Sequence, residues 1–272
     1  RKKELAENCH PFAVEIKDFT KPVDILAVDV PAGYTTLFVF PYSVGFQFSG
    51  FKNLAALNEA ITKRLKNLGV TTLLFMRHLE LIEYEIKIPG KEASGEYLLD
   101  AEPVNDHCTR VSAIESEDDK TDESLSFIKF SMPIDSMVST RTIDVAFTVA
   151  TDKEGKTTFQ KAKNPYISVY FPTETESKLD FIVQGPFRTT PNRSSVPADE
   201  EENEALAEQT AKLLRQSVLE LRDMGLLDLS LIRILPLDED DFDVYPLFYP
   251  LYTAFRIVPS CSTFTCFRLF TY

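Results

Sequence analysis

Apolar positions along the chain fall into two spacings. Between Asn53 and Leu68 they recur at helical intervals: Leu54, Leu57, Ile61, Leu65 and Leu68 form one stripe, with Lys63, Arg64, Lys66 and Asn67 largely opposite. Asn53 can cap such a helix and Gly69 can end it, so the spacing predicts a helix over 53–68. A second stripe, running through Leu206, Thr210, Leu213, Leu214, Val218, Leu221 and Met224, predicts a longer helix over 199–224. Its first turn is acidic, which the helix dipole favours, and Gly225 follows as a C′ residue. Elsewhere the period is two. Phe12–Phe19, Leu79–Ile88, Gly95–Asp100, Cys108–Ile114, Leu125–Met132, Ile143–Val149 and Thr157–Lys161 read as strands. Leu37–Phe40 and Leu73–Met76 are short continuous apolar runs, as in strands covered on both faces. Ile167–Phe171 and Leu179–Val183 flank a Thr/Glu/Ser turn and read as a hairpin, with Pro172 closing its first strand. Glu115–Ser124 reads as a solvated acidic loop, Leu226–Leu231 as a short helix, and 244–255 as a helix in which Pro250 is a difficulty. The expected fold class is α+β: a mostly antiparallel meander from about Leu79 to Phe187, then one long C-terminal helix.

Composition adds bounds. The 272 residues, 44% hydrophobic and 26% charged, suit one large or two medium globular domains. A net charge of −13 argues against nucleic acid or an anionic membrane as partner, because both would be repelled. No apolar run is long enough to span a membrane, and no secretory leader pattern opens the chain. Cys9, Cys108, Cys261 and Cys266 are sparse, as in a reducing compartment, so the expected location is cytoplasmic. The adjacent pairs Cys9-His10 and His107-Cys108 do not suit one tetrahedron, and no metal site is expected. There is no Gly-x-Ser-x-Gly elbow, no Gly-x4-Gly-Lys-Ser/Thr loop and no Gly-x-Gly-x-x-Gly. The acidic runs Glu200–Glu204 and Asp238–Asp243 read as solvated faces. Residues 257–272 hold no acidic residue but are rich in Phe, Cys and hydroxyls, and stand apart as an atypical tail.

One loop carries candidate chemistry. After Gly185-Pro186 the chain enters Arg188-Thr-Thr-Pro-Asn-Arg193, with two guanidinium groups, two hydroxyls and a proline-stiffened backbone. Arginine forks suit phosphate oxygens, and hydroxyls and loop amides add donors. The plain alternative for either arginine is a surface ion pair or a stem laid over apolar surface.

Val169-Tyr-Phe-Pro-Thr, then Phe181-Ile-Val-Gln-Gly-Pro-Phe-Arg-Thr-Thr-Pro-Asn-Arg193, resembles a segment of sacsin-like proteins. These carry a heat-shock-chaperone-type ATPase domain of the gyrase–chaperone–histidine kinase–MutL superfamily. Thr72-Leu-Leu-Phe-Met-Arg-His-Leu-Glu-Leu-Ile82 resembles the stretch that leads out of that domain. The resemblance runs from about Phe12 to Arg256. It implies that 1–76 is the C-terminal part of an ATPase α/β sandwich and 77–256 a transducer-like middle domain. Gly33-Tyr34-Thr35-Thr36 resembles the family's step that sets a hydroxyl near the nucleotide phosphates, with a Tyr inserted. It implies Thr35 and Thr36 as cofactor-binding residues, although Thr is also simply a good strand residue. In relatives the second domain sends a basic side chain to the ATP γ-phosphate, which implies Arg193 as the catalytic residue, with Arg188 as the alternative. The family's Asn/Glu helix, Asp-x-Gly motif and Gly-rich lid are not in this sequence. The resemblance therefore implies a fragment. ATP and magnesium would be bound in the parent protein by a missing N-terminal nucleotide-binding half, with protein clients as further partners, and this stretch alone would bind none of the nucleotide. The other class of reading is a non-catalytic protein-interaction module working through the meander and the long acidic helix.

Overall fold

The computed structural model describes residues 53–255, apart from 77, 89, 118–122, 136–137, 164 and 243–244. The strands expected over 12–19 and 37–40, Thr35, Thr36 and the tail lie outside the described residues. The chain divides into two compact units, Arg1–Leu65 and Lys66–Tyr272. Helix α1 (Leu54–Lys66) closes the first, and Asn53 begins it as its sequence suggests, its Oδ1 accepting from the Ala56 N–H at 2.8 Å.

The second unit is a nine-stranded sheet with helices, mixed α+β and mostly antiparallel. Strands β1 (Leu81–Ile88), β2 (Lys91–Pro103), β3 (Cys108–Glu117), β4 (Glu123–Asp135) and β5 (Val138–Thr151) form the expected meander, each antiparallel to the next. Then β6 (Thr157–Gln160) pairs with part of β5, while β7 (Tyr166–Val169), β8 (Phe171–Glu176) and β9 (Ile182–Gln184) finish the sheet in the order β5-β9-β7-β8.

Strand alternation decides which side is the core. In β5, Ile143, Val145, Phe147 and Val149 point one way, together with Ile128 and Phe130 of β4, Phe181, and Val183 of β9. The fully buried Phe147 ring lies 6.1 Å from Phe130, 6.0 Å from Phe159 and 5.3 Å from Phe181. Helix α2 (Glu201–Asp223) lays Leu206, Leu213, Leu214, Val218 and Leu221 on this face. It ends as the sequence predicts. Gly225 takes φ 75°, the Leu226 N–H reaches the Leu221 carbonyl at 2.8 Å, and the Gly225 N–H reaches that of Arg222 at 2.9 Å. Short α3 (Leu229–Ile232) is capped by Asp228, whose Oδ1 accepts from Ser230 and Leu231. The last element, α4 (Tyr249–Phe255), buries Leu251 in the same core. Among the described residues no helix is long and apolar enough to cross a membrane.

Four expectations need correction. Leu73–Met76 is no strand: successive bonds from Thr72, Leu74 and Met76 back to Gly69, Thr71 and Leu73 make it a 3-10 turn and its continuation. The run is apolar because it plugs onto the sheet near β2 and β3, where Leu73 and Leu74 are buried, and periodicity cannot separate such a plug from a strand. Of Glu115–Ser124, expected as a loop, the two ends are strand and 118–122 lie outside the described residues. β3 runs through Glu117 and β4 starts at Glu123, because the Tyr97 hydroxyl and the Lys66 ammonium hold the Glu115 and Glu117 carboxylates. The hairpin of Ile167–Phe171 with Leu179–Val183 does not form. Tyr170, at φ 65°, turns the chain at once, so the Thr/Glu stretch is itself β8, and β9 lies parallel to β7 instead. Pro172 sits within β8 because that strand ends the sheet, where a missing N–H costs no ladder bond. Finally, 244–255 is not one helix but a 3-10 turn at Pro246–Phe248 and then α4, with each proline in a first turn that needs no N–H.

The core places its weight on Phe147. Phe147→Ala is expected to lower the unfolding free energy by about 3–5 kcal/mol, whereas Phe171→Ala, at a side chain 49% exposed, is expected to cost far less. Urea denaturation of the two variants checks this, and equal losses would contradict the assignment of the core.

Candidate functional site

The loop from Arg188 to Val196 leaves β9 through Gly185-Pro186-Phe187. Phe187 folds back over Gly185 so closely that a Cβ there would lie 2.8 Å from the ring, which is why glycine is needed. The ring is buried and meets Phe248 edge-on at 5.9 Å, anchoring the loop's entry to the core.

The loop is built from its own polar groups. The Arg193 N–H donates to the Thr190 carbonyl at 2.8 Å, closing a turn with Pro191 at its second position. Asn192 Oδ1 accepts from the hydroxyls of Thr190 at 2.8 Å and Ser194 at 2.9 Å. Thr190 and Ser195 bond across the base, N–H to carbonyl at 2.9 Å and N–H to hydroxyl at 3.1 Å. The loop then docks on β8: the Glu174 N–H donates to the Ser194 carbonyl at 3.1 Å, and the Val196 N–H to the Thr175 hydroxyl at 3.0 Å. The Tyr245 hydroxyl closes the exit, donating to the Val196 carbonyl at 2.7 Å, and burial holds that phenol protonated by raising its pKa.

The two arginines end differently. Arg188 makes a two-pronged ion pair with Glu202, Nε to Oε2 at 2.6 Å and a terminal nitrogen to Oε1 at 2.8 Å. That hydrogen-bonded partner raises the Arg188 pKa and lowers that of Glu202. Because the carboxylate's folded pKa is the lower one, the pair is complete above the ordinary carboxylate range and opens as pH falls through the lowered value. Both groups are exposed, so the pair fixes geometry more than it adds stability. Arg193 is exposed too, but its guanidinium meets a backbone oxygen, donating to the Val169 carbonyl at 2.6 Å, and no carboxylate among the described residues pairs with it. Its own backbone is left-handed, φ 60°. Tyr170, Lys178 and Arg193 are the non-glycine residues with positive φ among those described, and all fall within this one stretch.

Two residues here were not singled out by sequence reasoning. Asn203, fully buried on α2, grips the loop: its Oδ1 accepts from the Arg188 N–H at 2.7 Å, and its Nδ2 donates to the carbonyls of Arg188 at 3.1 Å and Pro197 at 2.8 Å. The signal available was an amide among four glutamates at the start of an acidic helix. Gln184, 2% exposed and paired with Ser168 across β7, has an Oε1 with no hydrogen-bond partner. Nothing in its sequence context marked it.

As a nucleotide site the described residues are incomplete. They offer one cation without a carboxylate partner on a stiff loop, and they hold no cluster of His, Cys, Asp and Glu able to bind a metal ion. No family model, curated protein or solved structure matches the chain.

Asn203→Ala strips three part-buried backbone groups of their partner and is expected to cost about 1–3 kcal/mol. Hydrogen exchange should quicken at 188–196 and stay unchanged in β3 and β4. Unaltered exchange at the Arg188 amide would show that the grip is not what orders the loop.

Proposed function

We propose that this chain is part of a chaperone-like ATP-hydrolysing protein similar to sacsin-like proteins, of the gyrase–chaperone–histidine kinase–MutL superfamily. On this reading residues 1–76 complete an ATPase sandwich, and the sheet with α2 is the transducer-like second domain that senses the γ-phosphate. The observation that carries it is the contrast between the two arginines. Arg188 is neutralised by Glu202, while Arg193 stands exposed, held by a carbonyl and facing no carboxylate among the described residues. A cation so held costs little reorganisation when an anion arrives, and negative charge on a transferring phosphoryl group is what such a cation stabilises. ATP with magnesium, bound by the nucleotide-binding half of a longer protein, would supply the phosphoryl group. Arg193 would orient and neutralise its terminal oxygens, while Asn203 and the Asn192 network hold the loop that carries it.

A second reading, a non-catalytic interaction module, is favoured by one feature. A groove of 530 Å³ between α2 and the Pro246–Pro250 segment is floored by Ala205, Leu247 and Tyr249 and edged by Glu201, Glu204 and Glu208. None of these glutamates has a cationic partner among the described residues, so the groove suits a basic segment of another protein.

The test is ATP turnover by the protein expressed from its natural start. Arg193→Ala is expected to lower turnover by about a hundredfold or more while changing ATP affinity less than about threefold. Arg188→Ala should stay close to the parent. Equal turnover by the parent and Arg193→Ala refutes the reading and leaves the module.

A further inference from the structure

The sheet has two ends, and they are treated differently. At one end β8 has the 194–196 loop hydrogen-bonded along it. At the other end β1 pairs with β2 in unbroken register from Leu81↔Leu98 to Ile88↔Lys91, and no strand among the described residues pairs with its outer side. Over 81–88 there is no proline and no bulge, so β1 keeps a straight row of backbone donors and acceptors. Such an edge invites another strand unless its side chains forbid it.

The side chains of β1 forbid most partners. Leu81, Glu83, Glu85 and Lys87 are exposed, while Tyr84 and Ile86 are buried. If a second β1 approached antiparallel about a two-fold axis, inward residues would have to face inward ones, which restricts the axis to a residue position. An axis at Glu83 sets Glu83 against itself, and one at Tyr84 sets Glu83 against Glu85. An axis at Glu85 sets Glu85 against itself between two Glu83–Lys87 pairs. Like charges directly opposed are unfavourable. An axis at Ile86 sets Glu85 against Lys87 twice, Ile86 against Ile86, and Tyr84 against Ile88. Within one strand Glu85 and Lys87 already meet at 2.7 Å while 62% and 70% exposed, so both are free to turn toward a partner strand.

We infer that β1 is an interface for a second copy of this chain, paired antiparallel about Ile86 so that the two sheets become one. The charges favour this register: of the axes at 83, 84, 85 and 86, the one at Ile86 opposes no like charges. Pairing also carries the buried Tyr84–Ile86 face across the junction, continuing the sheet's apolar side.

Sedimentation equilibrium of the full chain across a concentration series tests this. The parent should dimerise. Glu85→Lys alone and Lys87→Glu alone should each weaken the dimer by about tenfold or more, since each turns both cross-strand pairs into like charges. The double variant, Glu85→Lys with Lys87→Glu, should restore dimerisation to within about threefold of the parent. Both positions are exposed, and circular dichroism will confirm that the variants fold. A monomeric parent, single variants that dimerise like the parent, or a double variant that stays monomeric would each overturn the inference.

Discussion

The described unit depends on burying one face of the sheet beneath α2. Phe147 is the centre of that contact, with Phe130, Phe159 and Phe181 around it. Each fully buried aromatic side chain contributes about 1.5–3 kcal/mol, so this group alone offsets the ordering cost of several residues. The helix that covers it is not purely apolar along its buried stripe. Thr210 and Ser217 turn their hydroxyls back to the Leu206 and Leu213 carbonyls, at 2.7 and 2.8 Å, and so pack beside leucines without an unpaired group. Asn203 lies in the first turn, where no helical carbonyl stands four residues back, and sends its amide to the loop. The same packing that fixes the helix therefore fixes the Arg188–Val196 loop.

That coupling explains where the strain lies. A non-glycine residue in the left-handed region costs about 1–3 kcal/mol and persists only when its surroundings over-determine it. Tyr170 and Arg193 are two such residues, and they are tied to each other: the Arg193 guanidinium takes the carbonyl of Val169, one residue before Tyr170. A turn that ends β7 and a turn that ends the loop thus share one hydrogen bond. The surroundings that hold them are Phe187 on Phe248, the Ser194 contact with β8 and the Asn203 grip. The non-glycine positive-φ residues among those described thus fall between 170 and 193, the stretch that ends in this loop.

Elements that carry their own instructions were legible in the sequence. Asn53, the stripe from Leu206 to Leu221 and Gly225 fix helices by capping, period and handedness, all of which are local. The meander was legible for the same reason, since β1 and β5 alternate cleanly and their neighbours follow in chain order. What failed was decided at a distance. Ile182–Gln184 looks like the return strand of a hairpin, yet it inserts between β5 and β7, and only the sheet's order tells the two apart. Leu73–Leu74 looks like a strand and is a plug, because burial is a property of the partner surface. In the candidate site, both arginines and the turn at Pro191 could be read directly. Their inequality could not, because it rests on Glu202 and Asn203 reaching across from a helix that starts after the loop ends.

The charge of the chain bears on which anions that loop could meet. At −13 the chain repels polyanions, and a nucleic acid would have to bring many phosphates against that field. Screening limits the field's reach to about 8 Å at physiological ionic strength, so the groups nearest an anion decide its fate. The Arg193 guanidinium is bonded to the Val169 carbonyl and its loop is built from hydroxyls and amides, while the basic groups Lys178 and Arg188 are already matched to Glu176 and Glu202. On the proposed reading, an acidic surface presenting a guanidinium with no carboxylate partner among the described residues discriminates by size. It disfavours an extended polyphosphate chain and tolerates a compact phosphate group presented to a single point, which is the geometry the proposed γ-phosphate contact requires.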